Sequence, residues 1–162
     1  MEQSLEKRCV EYAVHVSALC GLDCCVLDTA RREFVFASGE KRFCEGCGDP
    51  RCAELNTHLY GSNEAYRWNG QYIYYCPAGL VFTAASVSDE TGEMAGSLVA
   101  GPLLMGQAEE QLAELPEELR EKARSLPVFP PARVTHLSAV LCACTAFAAG
   151  LPNSRAGGFV YE

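Results

Sequence analysis

The sequence predicts an α+β domain in which helices cover one face of a five-stranded antiparallel sheet, with an amphipathic helix near each end of the chain. Five segments have the length and composition of strands, and most are joined by short polar or glycine-containing connections, which antiparallel neighbours permit. Apolar residues recur at three- and four-residue steps near both ends, as they do on the buried side of a surface helix. The length of 162 residues is that of one ordinary domain.

The N-terminal part combines a helix with two strands. Between residues 4 and 20 the apolar positions follow a helical period, and Gly21 stands where helices commonly end in a left-handed conformation. Residues 22–28 and 33–37 have the composition of strands, and the polar connection 29–32 is short enough for a hairpin. We therefore predict a helix followed by a β-hairpin.

The middle of the chain is predicted to hold a loop, a short helix and three strands. Residues 38–52 contain four glycines or prolines and three cysteines, a composition typical of a loop. Residues 53–66 have the pattern of a short helix that carries His58. The three strands that follow are residues 71–76, 80–87 and 94–105.

The C-terminal part is predicted to be helical. Residues 107–126 are acidic, and Pro116 divides them into two short helices because proline removes a hydrogen bond from a helix interior. Residues 132–150 carry an apolar stripe at helical spacing. The domain is therefore expected to occupy residues 1–151, and residues 152–162 are expected to be a disordered tail or the start of a linker.

Composition and charge exclude several classes of protein. Apolar residues make up 49% of the chain and charged residues 21%, which is a globular composition. The net charge of −8 provides neither a basic footprint for nucleic acid nor a polybasic patch for a membrane surface. The N-terminal residues lack the features of a signal peptide, and every apolar run falls short of the about 20 residues of a membrane span. We therefore expect a cytoplasmic protein that contacts neither nucleic acid nor a membrane directly.

The ten cysteines are the most unusual feature of the composition. In the reducing cytoplasm, a cysteine cluster is more often a metal site or a catalytic group than a set of disulfides. Four of them follow the spacing C-x2-C-x4-C-x23-C, and these are Cys44, Cys47, Cys52 and Cys76. Four thiolates form a closed tetrahedral zinc site, and a glycine-containing loop can wrap around one ion. An iron–sulfur cluster suits the same ligands, and buried thiols without a metal are the third interpretation.

Three further residues are candidates for a small-molecule pocket. Tyr72 and Tyr74 share one strand face with Cys76, and aromatic side chains with a polar tip suit a pocket as well as any half-buried strand. His58 follows Cys52 by six residues, so it could replace one thiolate or bind a pocket ligand. A helix-surface histidine without a role is the alternative.

The remaining cysteines are expected to belong mostly to the core. Cys24 and Cys25 are neighbours on a strand, so their side chains point to opposite faces of the sheet. With helices on one face only, at most one of the two is expected to reach the core. Apolar helical stripes carry the other four, which are Cys9, Cys20, Cys142 and Cys144.

Several common catalytic signatures are missing from the sequence. Nucleophile-elbow, phosphate-loop and dinucleotide-binding patterns are absent, and so are both motifs of a zinc-dependent deaminase. Cys44 and Cys47 form a C-x-x-C pair, but it does not open a helix after a strand, as a thioredoxin-like motif does. We therefore predict that the chain is not an enzyme.

Two short segments resemble the PocR sensory domain family. Residues 75–80, YCPAGL, resemble the tyrosine–cysteine–x–glycine–leucine strand of the family, with two residues instead of one between cysteine and glycine. Residues 96–102, GSLVAGP, resemble its apolar strand that closes on a glycine. The cysteines that match those of the family are Cys44, Cys52 and Cys76. Cys47 is an addition, and the resemblance covers residues 4–150.

The resemblance implies a PAS-like fold and a sensing function. Domains of this family stand at the front of bacterial transcription regulators, histidine kinases and cyclic-dinucleotide enzymes, and they are thought to recognise small organic molecules, diols among them. We therefore expect a ligand-sensing domain with a metal site beside its pocket. A redox or metal sensor built on an iron–sulfur cluster or on thiols is the alternative, and a structural zinc module that binds protein is the third. The terminal helices are candidate homodimer surfaces, and the output module is expected in a partner or outside these 162 residues.

Overall fold

A sheet of long and short strands forms the centre of the fold. A computed structural model describes residues 1–38 and 42–150 of the chain. In chain order the strands are β1 (Cys24–Asp28), β2 (Glu33–Ala37), β3 (Gln71–Tyr75), β4 (Val81–Ser88), β5 (Met94–Met105) and β6 (Val128–Phe129). Five of them follow the spatial order β2-β1-β5-β4-β3, and every pair of neighbours in that order is antiparallel.

Within the described residues, five α-helices surround this sheet, and a single turn of 3-10 helix (Phe43–Gly46) precedes the second of them. They are α1 (Gln3–Cys20), α2 (Glu54–Arg67), α3 (Ala108–Ala113), α4 (Glu117–Ala123) and α5 (Pro131–Ala148). The predicted boundaries agree with these to within a few residues. Gly21 ends α1 with a φ of 66°, and Pro116 separates α3 from α4. The predicted fold class is confirmed, since a mixed α/β fold with this open sheet is PAS-like.

The strand count differs from the predicted five because β6 is a sixth strand. It pairs with β5 in parallel, with Leu104 opposite Val128 and Met105 opposite Phe129. The prediction missed it for a physical reason. A two-residue strand between prolines is too short to show any alternation of apolar and polar side chains.

Helices α1 and α5 pack against each other on one face of the sheet. The main hydrophobic core lies between them and the strands, and it includes Cys9 of α1, Leu141 of α5 and Val26 of β1. The guanidinium of Arg8 also donates a hydrogen bond of 2.7 Å to the carbonyl oxygen of Ala148, which joins the two helices near the ends of the fold.

The other face of the sheet is covered too, which corrects the prediction of helices on one face. Helix α2 packs on β3, β4 and β5 from that side, over a second core that includes Leu59 and Val99. Strand β5 is accordingly buried from Ala95 to Leu104 without alternation. Continuous apolar runs of this kind are typical of strands buried on both faces. For the same reason both Cys24 and Cys25 are buried, one in each core.

Helices α3 and α4 cover one end of the sheet. Their leucines pack with Leu80 and Leu104 in a third apolar cluster, against which Phe43, Cys47 and Cys76 also lie. In the part of the chain that the structure describes, no helix combines the length and the apolar character that crossing a bilayer requires. The tail predicted for residues 152–162 lies outside the described residues.

Candidate ligand and metal site

A cavity of about 120 Å³ lies between α2 and residues 42–53, a segment that we call the cysteine loop. Its wall combines the apolar edge of the sheet with sulfur, oxygen and nitrogen donors. The side chains in the wall that carry sulfur, oxygen or nitrogen are those of Cys44, Cys47, Cys52, Cys76, Asp49, Glu54, Thr57 and His58. The four cysteines singled out by their spacing therefore line one cavity, but among the described residues no three of their sulfur atoms lie within 4.8 Å of one another.

The cysteine loop is held by bonds at several points. The backbone N–H of Phe43 donates to the carboxylate of Asp23 at 3.2 Å, and the N–H of Cys52 donates to the carbonyl oxygen of Asp49 at 3.0 Å. The ammonium group of Lys122 in α4 donates to the carbonyl oxygen of Gly46 at 2.8 Å. The first and third of these bonds connect the loop to the residue before β1 and to α4, and the second lies within the loop, so the cover of the cavity is held in place.

Cys76 reaches the cavity from the sheet. It directly follows β3 and begins the turn to β4, in which its N–H donates to the carbonyl oxygen of Leu80 at 2.9 Å. Gly79 completes the turn with a φ of 79°, a left-handed conformation that favours glycine. The turn places the thiol opposite the loop, as the position of Cys76 at a strand end predicted.

Burial controls the protonation of these thiols. It raises the pKa of Cys44, Cys52 and Cys76, because the apolar wall disfavours the thiolate. Neighbouring thiols add to the rise of the pKa at each of the three, and the carboxylate of Glu54 adds to it at Cys44 and Cys52. Without a cation these side chains are therefore neutral thiols near neutral pH, and binding a metal ion would release protons.

One group of donors is already close enough for a single ion. The sulfur of Cys44, a carboxylate oxygen of Glu54 and a ring nitrogen of His58 all lie within 4.8 Å of one another. Within residues 1–38 and 42–150 this is the one such group of three or more donors. The sequence prediction included Cys44 as a metal ligand and His58 as a pocket residue, but it did not include Glu54.

His58 is held as a neutral imidazole. Its exposed fraction is 2%, and burial together with the positive charge of Arg42 lowers its pKa to about 4. Its Nδ1 lies 2.8 Å from the phenolic oxygen of Tyr74, and its Nε2 lies 4.0 Å from Oε1 of Glu54. The expectation of a helix-surface histidine is therefore replaced by a buried one that faces the cavity.

Glu54 has a cationic partner that the sequence did not reveal. The guanidinium of Arg42 donates a hydrogen bond of 2.6 Å to Oε1 of this carboxylate, and the same guanidinium lies over the ring of Phe34. Glu54 opens α2, where acidic residues are common for helix stability alone. The one signal that could have singled it out is its position four residues before His58, on the same side of the helix.

The two candidate tyrosines lie behind the cavity wall. Tyr74 contacts His58 and stacks on Phe82 at 5.8 Å between ring centres, and Tyr72 stacks on Tyr74 at 6.4 Å. Among the described residues that line the cavity, His58 is present and the two tyrosines are not. A ligand-binding role for Tyr72 and Tyr74 stays a prediction.

Comparison with known proteins identifies the family. The model of the family described as the sensory domain found in PocR matches residues 8–151. Among solved structures, HmgR of Pseudomonas aeruginosa is similar at 18% sequence identity and a TM-score of 0.40, over 87% of this chain and 67% of that one. No curated protein sequence matches. Since the family model spans nearly the whole chain, this chain belongs to the family of sensory domains found in PocR, and it is a sensory domain of a signalling or regulatory protein.

Proposed function

We propose that this domain binds a small organic molecule in the cavity under the cysteine loop and passes the binding state to a bacterial transcription-regulation or signal-transduction output. The observation that carries the proposal is a partly enclosed cavity with a mainly apolar wall and several polar groups, which is the usual form of a ligand site. Its volume of about 120 Å³ is somewhat below that of an engineered cavity of about 150 Å³ that takes up benzene, so a ligand of about five non-hydrogen atoms fits.

His58 is the proposed polar contact for that ligand. Its Nδ1 is engaged by Tyr74, which leaves Nε2 as the ring atom for the cavity. Tyr74 would orient the imidazole, and Tyr72 would support Tyr74 by stacking on it. Binding requires no bond-making step, so the domain acts without catalysis in this proposal.

A metal ion beside the ligand is part of the proposal. Zinc is the first candidate, and the proposed donors are the thiols of Cys44, Cys47, Cys52 and Cys76. Their shared place in the wall of one cavity supports the fit, because a cation offsets the cost of burying thiolates. Bound zinc would join the cysteine loop to the sheet and so hold the cover of the cavity in place. An iron–sulfur cluster or reactive thiols would instead make the domain a redox sensor, and zinc without a ligand would make it a structural module.

The terminal helices are the proposed route to the output. Leu19 at the end of α1 and Phe147 at the end of α5 are 84% and 68% exposed, so each leaves a large apolar side chain on the surface. We propose that a second copy of the cytoplasmic domain binds these exposed side chains. A change in how α1 packs on α5 would then alter the contact between the two copies. Size-exclusion chromatography of the parent chain against a Leu19→Glu and Phe147→Glu double variant tests this dimer.

Thermal unfolding with a panel of small alcohols, diols and aldehydes tests the sensing proposal. A true ligand present at 100 times its Kd should stabilise the folded state by about 2.7 kcal/mol. Replacing cavity-lining Ala78 by leucine should abolish the stabilisation, whereas the same change at exposed Ala113 should retain it. Stabilisation that survives Ala78→Leu, or a panel without any effect, would contradict binding in this cavity.

Elemental analysis and absorption spectra of protein purified without oxygen separate the alternatives. One zinc per chain that is lost in a Cys76→Ser variant supports the proposed metal. Iron with broad visible absorbance supports the redox sensor instead. Zinc without any ligand-induced stabilisation supports the structural module.

A further inference from the structure

The helix side of the cavity carries donors other than thiols. The donor atoms of Cys44, Glu54 and His58 lie within 4.8 Å of one another. Tetrahedral zinc with bonds of about 2.0–2.3 Å sets its ligands roughly 3.3–3.8 Å apart. Only a small contraction therefore separates the three side chains from a ligand shell.

We propose that Cys44, Glu54 and His58 bind one divalent ion of the zinc class, so that the metal site of this domain is a mixed thiolate–carboxylate–imidazole site. This inference rests on the proposed metal function and changes its ligands, since only Cys44 is common to both sets. The other three thiols line the same cavity, and they compete with a water molecule or an organic ligand for the fourth position.

Charge and protons balance in this arrangement. The thiol of Cys44 loses its proton to solvent, and its sulfur then donates an electron pair to the ion. Glu54 contributes a carboxylate oxygen, and neutral His58 contributes a ring nitrogen without changing its charge. The two anionic ligands neutralise a divalent cation, which reduces the cost of holding it in a buried cavity.

Two further side chains orient these ligands. The phenol of Tyr74 lies 2.8 Å from Nδ1 of His58, which directs Nε2 toward the carboxylate of Glu54. The guanidinium of Arg42 binds Oε1 of Glu54 at 2.6 Å, and among the described residues it is the one hydrogen-bond donor to that carboxylate. Hydrogen-bonded partners of this kind commonly fix the ligands of metal sites.

The donor types select the class of metal. Thiolate and imidazole suit zinc, cobalt and nickel, whereas calcium and magnesium prefer oxygen ligands alone. Three protein ligands and one open position are typical of zinc sites that bind an exogenous molecule. A mixed site would therefore place the metal in direct contact with an oxygen atom of the sensed molecule, which a closed four-thiolate site would not do.

Zinc and cobalt binding by the full chain tests the inference. The metal-free, reduced protein is titrated with Zn²⁺ against a chromogenic chelator, and with Co²⁺ by absorption. Glu54→Gln and His58→Gln should each weaken binding by about 10-fold or more. The matched controls are Glu64→Gln on the same helix and His136→Gln on the surface of α5, and both should bind like the parent.

A variant that keeps a metal ligand at position 54 distinguishes the loss of a ligand from misfolding. Glu54→Cys should still bind Co²⁺, and it should intensify the thiolate-to-cobalt charge-transfer band because it adds a sulfur ligand. Cobalt binding without that increase would overturn the assignment of position 54. Circular dichroism of each metal-free variant checks that the fold is retained.

The outcomes also separate this inference from the proposed metal function. If Glu54→Gln and His58→Gln bind like the parent while Cys47→Ser and Cys52→Ser lose the ion, the four-thiolate site is correct and the mixed site is overturned. If the parent chain takes up neither zinc nor cobalt, both are overturned.

Discussion

The phenolic oxygen of Tyr74 lies 2.8 Å from Nδ1 of His58, and both side chains are almost completely buried. Tyr74 belongs to β3 and His58 lies one turn into α2, so the bond ties the helix to the sheet at the wall of the cavity. Burial and the charge of Arg42 lower the pKa of His58 to about 4, and burial raises the pKa of Tyr74. Near neutral pH both groups are therefore uncharged.

Removing the hydroxyl of Tyr74 should destabilise the fold. In Tyr74→Phe the buried Nδ1 of His58 loses its partner, which should lower the free energy of unfolding by about 1–3 kcal/mol. Tyr72→Phe is the matched control, because Tyr72 lies on the same strand and is only partly buried. Urea denaturation measures both variants. Equal stability of Tyr74→Phe and the parent would show that the bond contributes nothing net.

Gly61 is required by the close approach of α2 to the sheet. A Cβ atom at this position would overlap the ring of Tyr74. Alanine is the better helix former by about 1 kcal/mol, but overpacking costs about 1–3 kcal/mol. Gly61→Ala should therefore lower the thermal midpoint, whereas Asn63→Ala at the exposed face of the same helix should leave it unchanged or raise it. A stabilised Gly61→Ala variant would mean that helix and sheet can separate without penalty.

Asp28 predicts a dependence of stability on pH. Burial raises the pKa of this carboxyl, but hydrogen bonds from the backbone and guanidinium of Arg31 and from the ammonium group of Met1 lower it more, from 3.8 to about 2. Such a group stabilises the fold above its unfolded pKa, and the contribution is lost as the pH falls through the folded value. The free energy of unfolding should therefore decrease between about pH 4 and pH 2.

Urea denaturation across that range, with Asp28→Asn as the comparison, measures this effect. The variant lacks the titrating carboxyl, so its stability should be lower near neutral pH and should fall less on acidification. If the free energy of unfolding falls with pH equally in the two proteins, groups other than Asp28 cause the sensitivity to acid.

Arg120 should matter more than other surface arginines. Its guanidinium donates hydrogen bonds to the carbonyl oxygens of Leu112, Ala113 and Leu115 at 2.9, 3.3 and 3.0 Å. These bonds provide donors for carbonyl groups at the C-terminal end of α3 and just after it. Arg120→Ala should lower the free energy of unfolding by about 1–3 kcal/mol because these acceptors lose a charged donor. Arg124→Ala removes only exposed ion pairs and should cost about 0–1 kcal/mol. Guanidinium chloride denaturation measures the free energy of unfolding of both variants. Equal losses in Arg120→Ala and Arg124→Ala would show that the bonds of Arg120 contribute no more than exposed ion pairs.

Local patterns were sufficient for most of the secondary structure. The helical period of residues 4–20 and the glycine that follows predicted α1 and its end, because a helix repeats every 3.6 residues whatever it packs against. Pro116 predicted the break between α3 and α4 for an equally local reason. The two covered faces of the sheet were missed, although β5 carried the signal, because its mostly apolar residues do not alternate regularly with polar ones.

The candidate site was only partly predictable. Spacing alone brought out the four cysteines, and the resemblance to the PocR family added the sensing function, which the family match supports. Arg42 carries no pattern that distinguishes it from the other charged residues of the chain, and Glu54 is marked only by its position four residues before His58. Their pairing arises because the cysteine loop folds over the first turn of α2.

By itself, the sequence determined most of the elements and the family, and it singled out four thiols by their spacing, because periodicity, turn residues and short motifs are local properties of a chain. The tertiary structure alone decided which donor atoms meet. Cys44, Glu54 and His58 come within 4.8 Å because α2 lies on the face of the sheet that the sequence was expected to leave open. Distances between residues on different elements depend on packing, and packing is set by all the buried side chains together.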